Sequence, residues 1–417
     1  MKYNQKQIKA ISSNDEEIIV IAPAGSGKTS TLVGAIMEYK NSNPKDFLVA
    51  ITFTRKASEE LKERLKSYSG IQVSTIHSWA YQELERLSII LMKEDPNNSF
   101  KVKVLEESKM KEILKELCQR ARYQYVNVGV LYSYITGNYN MDISQGLKSK
   151  FQRILKDYKD YKKRYGIYDF MDLPQYLLDK LNDYNRNIEN IDALFVDEVQ
   201  DVDDIQLELF NRTPTKKKFL IGDPKQSIYI FRGATQEVLD KLNHFNLYPL
   251  EINYRSYQEI IDYATTYNTE SQVYPTPFSG IIESYPSDIK CIRGQGGFVG
   301  VLLKNGKITE VNSYEIIDGE SIFNKILNEN YYILCRTNKE VKLIKELGNY
   351  NVQTIHQAKG LEYKNVVLTE FDTSEEEDRN IAYVGMTRAK DRLVLSNFTV
   401  LYNFLKNKKR TNVSKLF

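Results

Sequence analysis

The sequence predicts an α/β protein with two parallel-sheet domains, the first interrupted by an all-helical insertion. Three observations predict it. Residues 17–29 run a β-branched strand into a glycine turn and a Lys-Thr pair that opens a helix. Short apolar strands alternate with helical stretches in both halves of the chain, the order that builds parallel sheets. Between residues 86 and 187 that alternation gives way to helical periodicity rich in Lys, Glu and Tyr.

Residues 17–29 carry the clearest chemistry. Ile18, Ile19, Val20 and Ile21 read as a buried strand, Pro23 and Gly25 as a tight turn, with Leu32, Val33, Ile36 and Met37 at helical spacing beyond. Strand, glycine loop and helix N-terminus together make a phosphate cradle. Its backbone N–H groups come from Ala22, Ala24, Gly25, Ser26 and Gly27, Lys28 reaches the outer phosphates, and the Thr29 hydroxyl holds Mg²⁺. Ala22 stands where the strict pattern has glycine. Just upstream, residues 3–11 form a short amphipathic helix. The Gln7 amide, a donor beside an acceptor, suits the edge of an adenine, although an ordinary surface glutamine is the plainer reading.

The next strand, residues 47–53, leads through Thr54 into a charged helix, and residues 71–80 end a third strand with Thr75, His77 and Trp79. Trp79 is expected in the core. In the insertion, residues 109–120 and 148–165 are helical; their Lys and Tyr suit either a nucleic-acid groove or solvated faces. Residues 193–201 deliver Asp197 and Glu198 at a strand tip. The first carboxylate can complete a Mg²⁺ shell and the second can take a proton from an attacking water. After the strand 218–222, Gln226 falls where a neutral side chain can feel a terminal phosphate. Phe231 beside Arg232 pairs an aromatic face with a cation, as base stacking and phosphate contact require.

The second half opens at residues 250–256 and breaks at 274–277. Gly294, Gly296 and Gly297 read as a loop rather than a dinucleotide site, because no strand-helix context surrounds them. Residues 298–303 and 307–311, joined by Asn305-Gly306, read as a β-hairpin. Strands return at 331–336, 365–368 and 392–395, with a basic tail at 406–410. The expected division is 1–85 with 188–250, the insertion 86–187, and 251–417 with its hairpin region near 271–320.

The 417 residues hold 58 Lys and Arg against 55 Asp and Glu, so any nucleic-acid contact must come from a local groove. Cys118, Cys291 and Cys335 are far apart and read as reduced thiols of a cytoplasmic protein. The start lacks an apolar signal segment, and no apolar run approaches the ~18 residues of a membrane span, so no membrane partner is expected.

Taken in order, residues 22–29, 52–54, 75–79, 197–201, 222–234, 253–256, 354–362 and 383–390 resemble the motifs of superfamily 1 helicases of the UvrD/Rep/PcrA type. The resemblance spans nearly all of the chain except roughly 85–165 and 270–330. It implies two RecA-like P-loop NTPase domains, ATP and Mg²⁺ as cofactors, and 3′→5′ movement on single-stranded DNA or a duplex with a 3′ tail. Gln7 is then the adenine reader and Tyr254 the residue that stacks on it. Lys28 binds phosphates, Thr29 and Asp197 hold Mg²⁺, and Glu198 is the general base. Gln226 couples the γ-phosphate to the DNA site, Arg255 and Arg388 are arginine fingers, and Glu362 holds the ribose. The strand-binding face takes Phe53, His77, Tyr229, Phe231, Arg232, Thr354 and His356. Phe231 stands where relatives usually have Trp.

Two departures matter. Only about 17 residues separate Arg336 from Thr354, where relatives carry a large helical insertion, and 271–320 matches nothing in the family. The chain also ends soon after residues 383–390, so no appended nuclease is expected. Three readings follow. The leading one is an ATP-driven translocase and helicase. The second is a DNA-stimulated ATPase serving a partner nuclease in repair or defence. The third, a DNA-binding protein with a degenerate nucleotide site, sits poorly with the presence of Lys28, Asp197, Glu198, Arg255 and Arg388.

Overall fold

The computed structural model describes residues 3–96, 100–136, 145–228, 238–256, 330–370 and 375–399, with shorter pieces at 260–261, 264, 291–293, 299–301, 373, 401–403 and 405–406. In chain order the first half runs α1 (Gln5–Ile11), β1 (Glu17–Ile21), α2 (Lys28–Ser42), β2 (Leu48–Thr52), α3 (Arg55–Leu65), β3 (Ile71–Thr75) and α4 (Ile76–Glu94). A helical section follows: β4 (Val104–Leu105), α5 (Glu107–Arg120), α6 (Val128–Ile135), α7 (Gln145–Tyr165), β5 (Tyr168–Asp169) and α8 (Leu173–Asp183). Then β6 (Ala193–Val196), α9 (Asp204–Asn211), β7 (Lys217–Gly222) and β8 (Asn246–Pro249) complete a sheet ordered β3-β2-β6-β7-β1-β8. Every pairing in it is parallel.

Such a sheet must be covered on both faces, which is why its strands read as continuous apolar runs. Alternate residues go to opposite faces. Ile19, Ile21, Val49, Ile51, Leu194 and Val196 pack with α4, α8 and α9 on one side. Ile18, Val20, Leu48, Ala50, Phe195 and Phe219 pack with α2 and α3 on the other. Each fully buried Ile or Leu contributes roughly 1.5–3 kcal/mol. Trp79 is fully buried beside Phe210, as core packing requires.

The helical section has its own core. Met110, Ile113, Leu114, Leu131, Phe151, Ile154 and Tyr158 gather from α5, α6 and α7. By contrast, α8 packs on α4 and joins the core of the first sheet.

The second sheet comprises β9 (Cys291–Arg293), β10 (Val299–Val301), β11 (Tyr331–Cys335), β12 (Val352–Thr354), β13 (Tyr363–Glu370) and β14 (Ala389–Asn397), in the order β12-β11-β13-β14-β10-β9. Its first four strands are parallel and β10 and β9 run antiparallel at one end. β10 falls within the predicted arm 298–303, but both its edges are taken, by β14 and β9. The arm 307–311 and the Asn305-Gly306 turn lie outside the described residues. The helix Asn338–Leu347 alone bridges β11 and β12, so the short interval before Thr354 is an ordinary crossover. Among the described residues no helix is long and apolar enough to cross a membrane.

Candidate active site

Loops at the carboxyl ends of parallel strands form the ligand crevice of such folds. Here the loop after β1 makes the cradle. Gly25 and Gly27 adopt φ of 75° and 84°, a left-handed region that disfavours side chains. A Cβ at Gly25 would also lie 2.6 Å from Asn253 Nδ2, and one at Gly27 2.7 Å from Gln7 Nε2. Both glycines are therefore favoured by conformation, and Gly25 also by space. Ala22 and Ala24 are buried beneath the loop.

Gln7 is only 4% exposed, so the surface reading of it is overturned. Its Nε2 donates to the Ser26 carbonyl at 3.1 Å, while its Oε1 accepts from the Asn4 amide at 3.0 Å in a capping box that opens α1. The amide is thus tied to the loop itself. Ser26 Oγ and Lys28 Nζ are buried with no hydrogen-bond partner, and the nearest acid to Lys28 is Glu198 at 3.4 Å. Buried donors without acceptors are costly. A phosphate group would satisfy them, so the donor set fits one.

Asp197 follows β6, and Glu198 next to it takes a left-handed φ of 54°, strained for a residue with a side chain. The Asp197 carboxylate accepts the Glu198 amide at 3.0 Å. Gln200 donates to Glu198 at 2.6 Å and accepts the Asp223 amide at 2.9 Å, so the residue that holds the acid is itself fixed to the loop after β7. Burial pushes the Asp197 carboxyl up, and the neighbouring Glu198 charge adds to this. Burial works on Glu198 in the same sense, but Lys28 and Lys359 outweigh it and hold that carboxyl well below its usual range. Thr29 and Asp197 both line the cleft. No cluster of three acids, cysteines or histidines could hold a metal among the described residues. A divalent ion there would need phosphate oxygens and water to complete its shell, as Mg²⁺ commonly does.

The second half closes over the cradle. Asn253 Nδ2 donates to the Ala24 carbonyl, and the Tyr254 amide donates to the Gly25 carbonyl at 2.8 Å. Arg255 Nε bonds Glu362 at 2.7 Å, and Lys390 meets the same carboxylate at 2.8 Å. Arg388 is fully buried; it donates to the Val384 carbonyl at 2.9 Å, the Leu361 carbonyl at 3.3 Å and Gln226 Oε1 at 3.4 Å. Burial and the nearby Arg255 push its pKa down, to about 9, which leaves it charged at neutrality. Tyr254 is 59% exposed, and its hydroxyl accepts from Asn4 Nδ2 at 2.7 Å. The cleft between the halves has a volume of about 570 Å³ and is lined by Lys28, Thr29, Glu198, Gln226, Arg255 and Arg388 among others.

Several residues that sequence reasoning passed over join the halves. Lys359 is buried against Asp201 and donates to the Gln226 carbonyl at 2.7 Å. Asn380 donates to the Ser227 carbonyl at 3.1 Å. Lys359 and Asp201 sit inside the quoted stretches, but nothing in spacing alone pairs residues 158 positions apart.

The residues expected on a strand-binding face are less uniform. Phe53 is half-buried, lining the cleft and packing against the second core. His77 stacks on Phe170 with ring centroids 5.2 Å apart. Thr354 is fully buried and its hydroxyl accepts the Gln357 amide at 3.3 Å, capping the short helix that carries His356. His356 is itself 7% exposed. Tyr229, Phe231 and Arg232 lie outside the described residues.

The UvrD/REP helicase N-terminal domain model matches residues 3–246, and the UvrD-like helicase C-terminal domain model matches residues 351–396. The chain is 25% identical to a probable DNA helicase of Mycoplasma pneumoniae, over 95% of this chain and 83% of that protein. It is 28% identical to a probable DNA helicase II homolog of Mycoplasma capricolum, over 63% of this chain and 40% of that protein. DNA helicase II of Escherichia coli is also 28% identical, over 63% of this chain and 39% of that protein. The matched part thus spans about two-fifths of the length of the last two relatives.

Proposed function

The chain belongs to the UvrD/REP helicase family, and from that premise we propose that it hydrolyses ATP to move 3′→5′ along single-stranded DNA and to separate strands. The observation that carries the reading is the cleft in which Lys28 and Glu198 of one half face Arg255 and Arg388 of the other. The motor halves are residues 1–85 with 188–250 and residues 251–417, with 86–187 inserted in the first. The end of α4 and all of α8 lie within that span but pack on the first sheet.

In this reading the nucleotide enters with its adenine between Gln7 and Tyr254, its ribose at Glu362 and its phosphates over Gly25, Gly27 and Lys28. Bound Mg²⁺, held by Thr29 and Asp197, supplies charge neutralisation of the phosphates. Glu198 takes the proton of the attacking water. A carboxylate held far below its usual pKa is a weak base, and Lys28 is the first cation that holds it so. Lys28 turning to the phosphates would release that restraint, so that nucleotide binding itself arms the base. Arg255 and Arg388 then approach the transferred phosphoryl group, and the contact from Arg388 to Gln226 links that approach to the loop after β7. Hydrolysis cuts the bond that joins the terminal phosphate to the rest of the nucleotide. Release of inorganic phosphate takes away the charge that both halves grip, and the cleft opens. Alternating closure around a strand held on both halves gives directed movement.

A second reading, a DNA-stimulated ATPase serving a partner nuclease, draws on one feature. Where the family carries a large duplex-touching insertion, this chain has the single helix Asn338–Leu347. That favours translocation over processive unwinding. Steady-state ATPase with and without single-stranded DNA tests the shared premise, and no stimulation would refute both readings. Unwinding of 3′-tailed against 5′-tailed duplexes separates them. A preference for the 5′ tail would overturn the polarity.

A further inference from the structure

Two cations share the carboxylate of Glu362. Arg255 Nε lies 2.7 Å from its Oε1, and Lys390 Nζ lies 2.8 Å from its Oε2. Strand pairing places Lys390 there. Tyr363 opens β13 opposite Ala389, which opens β14, so the residue before the one and the residue after the other come together. The Tyr363 amide donates to the Arg388 carbonyl at 2.9 Å and holds that register. Arg255 arrives independently, from the segment after β8. All three side chains line the cleft.

The two ends of Arg255 are held by different parts of the molecule. Its amide donates to Asn253 Oδ1 at 2.8 Å, and Asn253 is bonded in turn to the Ala24 carbonyl. A Cβ placed on Gly25 would lie 2.7 Å from that of Arg255, so the root of the side chain already rests on the cradle. The guanidinium is bonded instead to Glu362 and, at 3.3 Å, to the Thr387 carbonyl. To reach a transferred phosphoryl group it must give up Glu362, and only the side chain has to turn. The Glu362 side chain is 37% exposed, so water alone compensates that acid incompletely. Lys390 stays with the carboxylate when Arg255 leaves. While both cations are present, their mutual repulsion also loosens the hold on Arg255.

We propose that Lys390 is a positioning residue that frees Arg255 for the reaction, by keeping the Glu362 carboxylate paired while the guanidinium turns to the phosphate. The inference rests on the reading of Arg255 as an arginine finger. Without Lys390, departure of Arg255 would leave a half-buried carboxylate without a counter-ion, and the guanidinium would stay where it is. Lys390 touches no reacting atom, so its effect reaches the chemistry only through Arg255.

The test measures steady-state ATP turnover of the full chain on oligo(dT), for wild type, Lys390→Met and Lys390→Arg, and for Lys390→Met added to Glu362→Gln. Lys390→Met should lower kcat about fivefold, the upper end for one half-exposed ion pair, with KM for ATP unchanged. Lys390→Arg keeps the charge and should retain wild-type kcat. In the Glu362→Gln background no acid holds Arg255, so adding Lys390→Met should leave kcat at saturating ATP where Glu362→Gln alone puts it. Wild-type kcat in Lys390→Met, an equal loss in Lys390→Arg, or an undiminished penalty beside Glu362→Gln would each overturn the inference. So would a rise in KM alone, which would make Lys390 a direct nucleotide contact. Wild-type turnover in Arg255→Ala would instead defeat the underlying finger reading. Should thermal melting show Lys390→Met unfolded, Lys390→Gln carries the same comparison.

Discussion

Lys162 and Lys28 both carry their ammonium groups out of contact with water, and they differ in how completely that charge is met. Lys162 has Asp169 and both oxygens of Asp172 within 2.7 Å of its ammonium. Its task is finished once the chain has folded: it pins a turn. Lys28 Nζ is buried without a hydrogen bond, with Glu198 at 3.4 Å as its nearest acid. A buried ammonium short of acceptors costs free energy, and a fold keeps such a charge where a ligand supplies what is lacking. The same contrast separates the regions. Among the described residues the helical section has no buried side-chain N or O atom without a hydrogen-bond partner, whereas the cleft holds Ser26 Oγ and Lys28 Nζ on one side and guanidinium groups on the other.

Four variants would break or sharpen that contrast. Arg388→Ala should have the largest effect, lowering turnover by about 10³–10⁵ with a much smaller change in ATP affinity. Single-turnover hydrolysis alongside nucleotide titration measures both, and a change in affinity alone would remove Arg388 from the finger role. Glu198→Gln should reduce turnover by about 10²–10⁴ while ATP and DNA binding persist. Near-normal hydrolysis would refute the assigned base. Lys162→Met should act on stability instead, by about 3–5 kcal/mol in urea unfolding, because two carboxylates lose their buried counter-ion. If turnover fell while the unfolding midpoint stayed put, the division between structural and working lysines would fail. The smallest effect is expected from Tyr254→Ala, which removes an exposed ring and the hydroxyl bonded to Asn4. About a tenfold loss of ATP affinity is expected, corresponding to one stacking contact of ~1.4 kcal/mol. Isothermal titration with a non-hydrolysable analogue reads it, and unchanged affinity would place the adenine elsewhere.

Much of this was legible from local pattern. Residues 18–21 and 48–51 are apolar on both faces, so a two-sided parallel sheet followed from composition alone. The cradle was legible because the backbone at 25 and 27 favours glycine, and the acids at 197 and 198 because they end a strand. Gln7 was harder. An amide looks the same on paper whether it faces water or caps a loop, and only the approach of α1 to Gly27 buries it. The cap that Thr354 makes was equally hidden, since a hydroxyl shows nothing in sequence of the helix it opens.

By itself, then, the sequence determined the two sheets, the glycine loop after β1 and the identities of the groups that line it. These depend on periodicity and on backbone conformations that a few neighbouring residues enforce. Only the tertiary structure decided which charges meet across the cleft: Arg388 with Gln226, Lys359 with Asp201, Asn253 with the loop after β1. It also decided that Phe170 comes to rest on His77. Such pairings join residues far apart in the chain, and they form when two independently patterned surfaces pack. Local pattern carries no record of that partner.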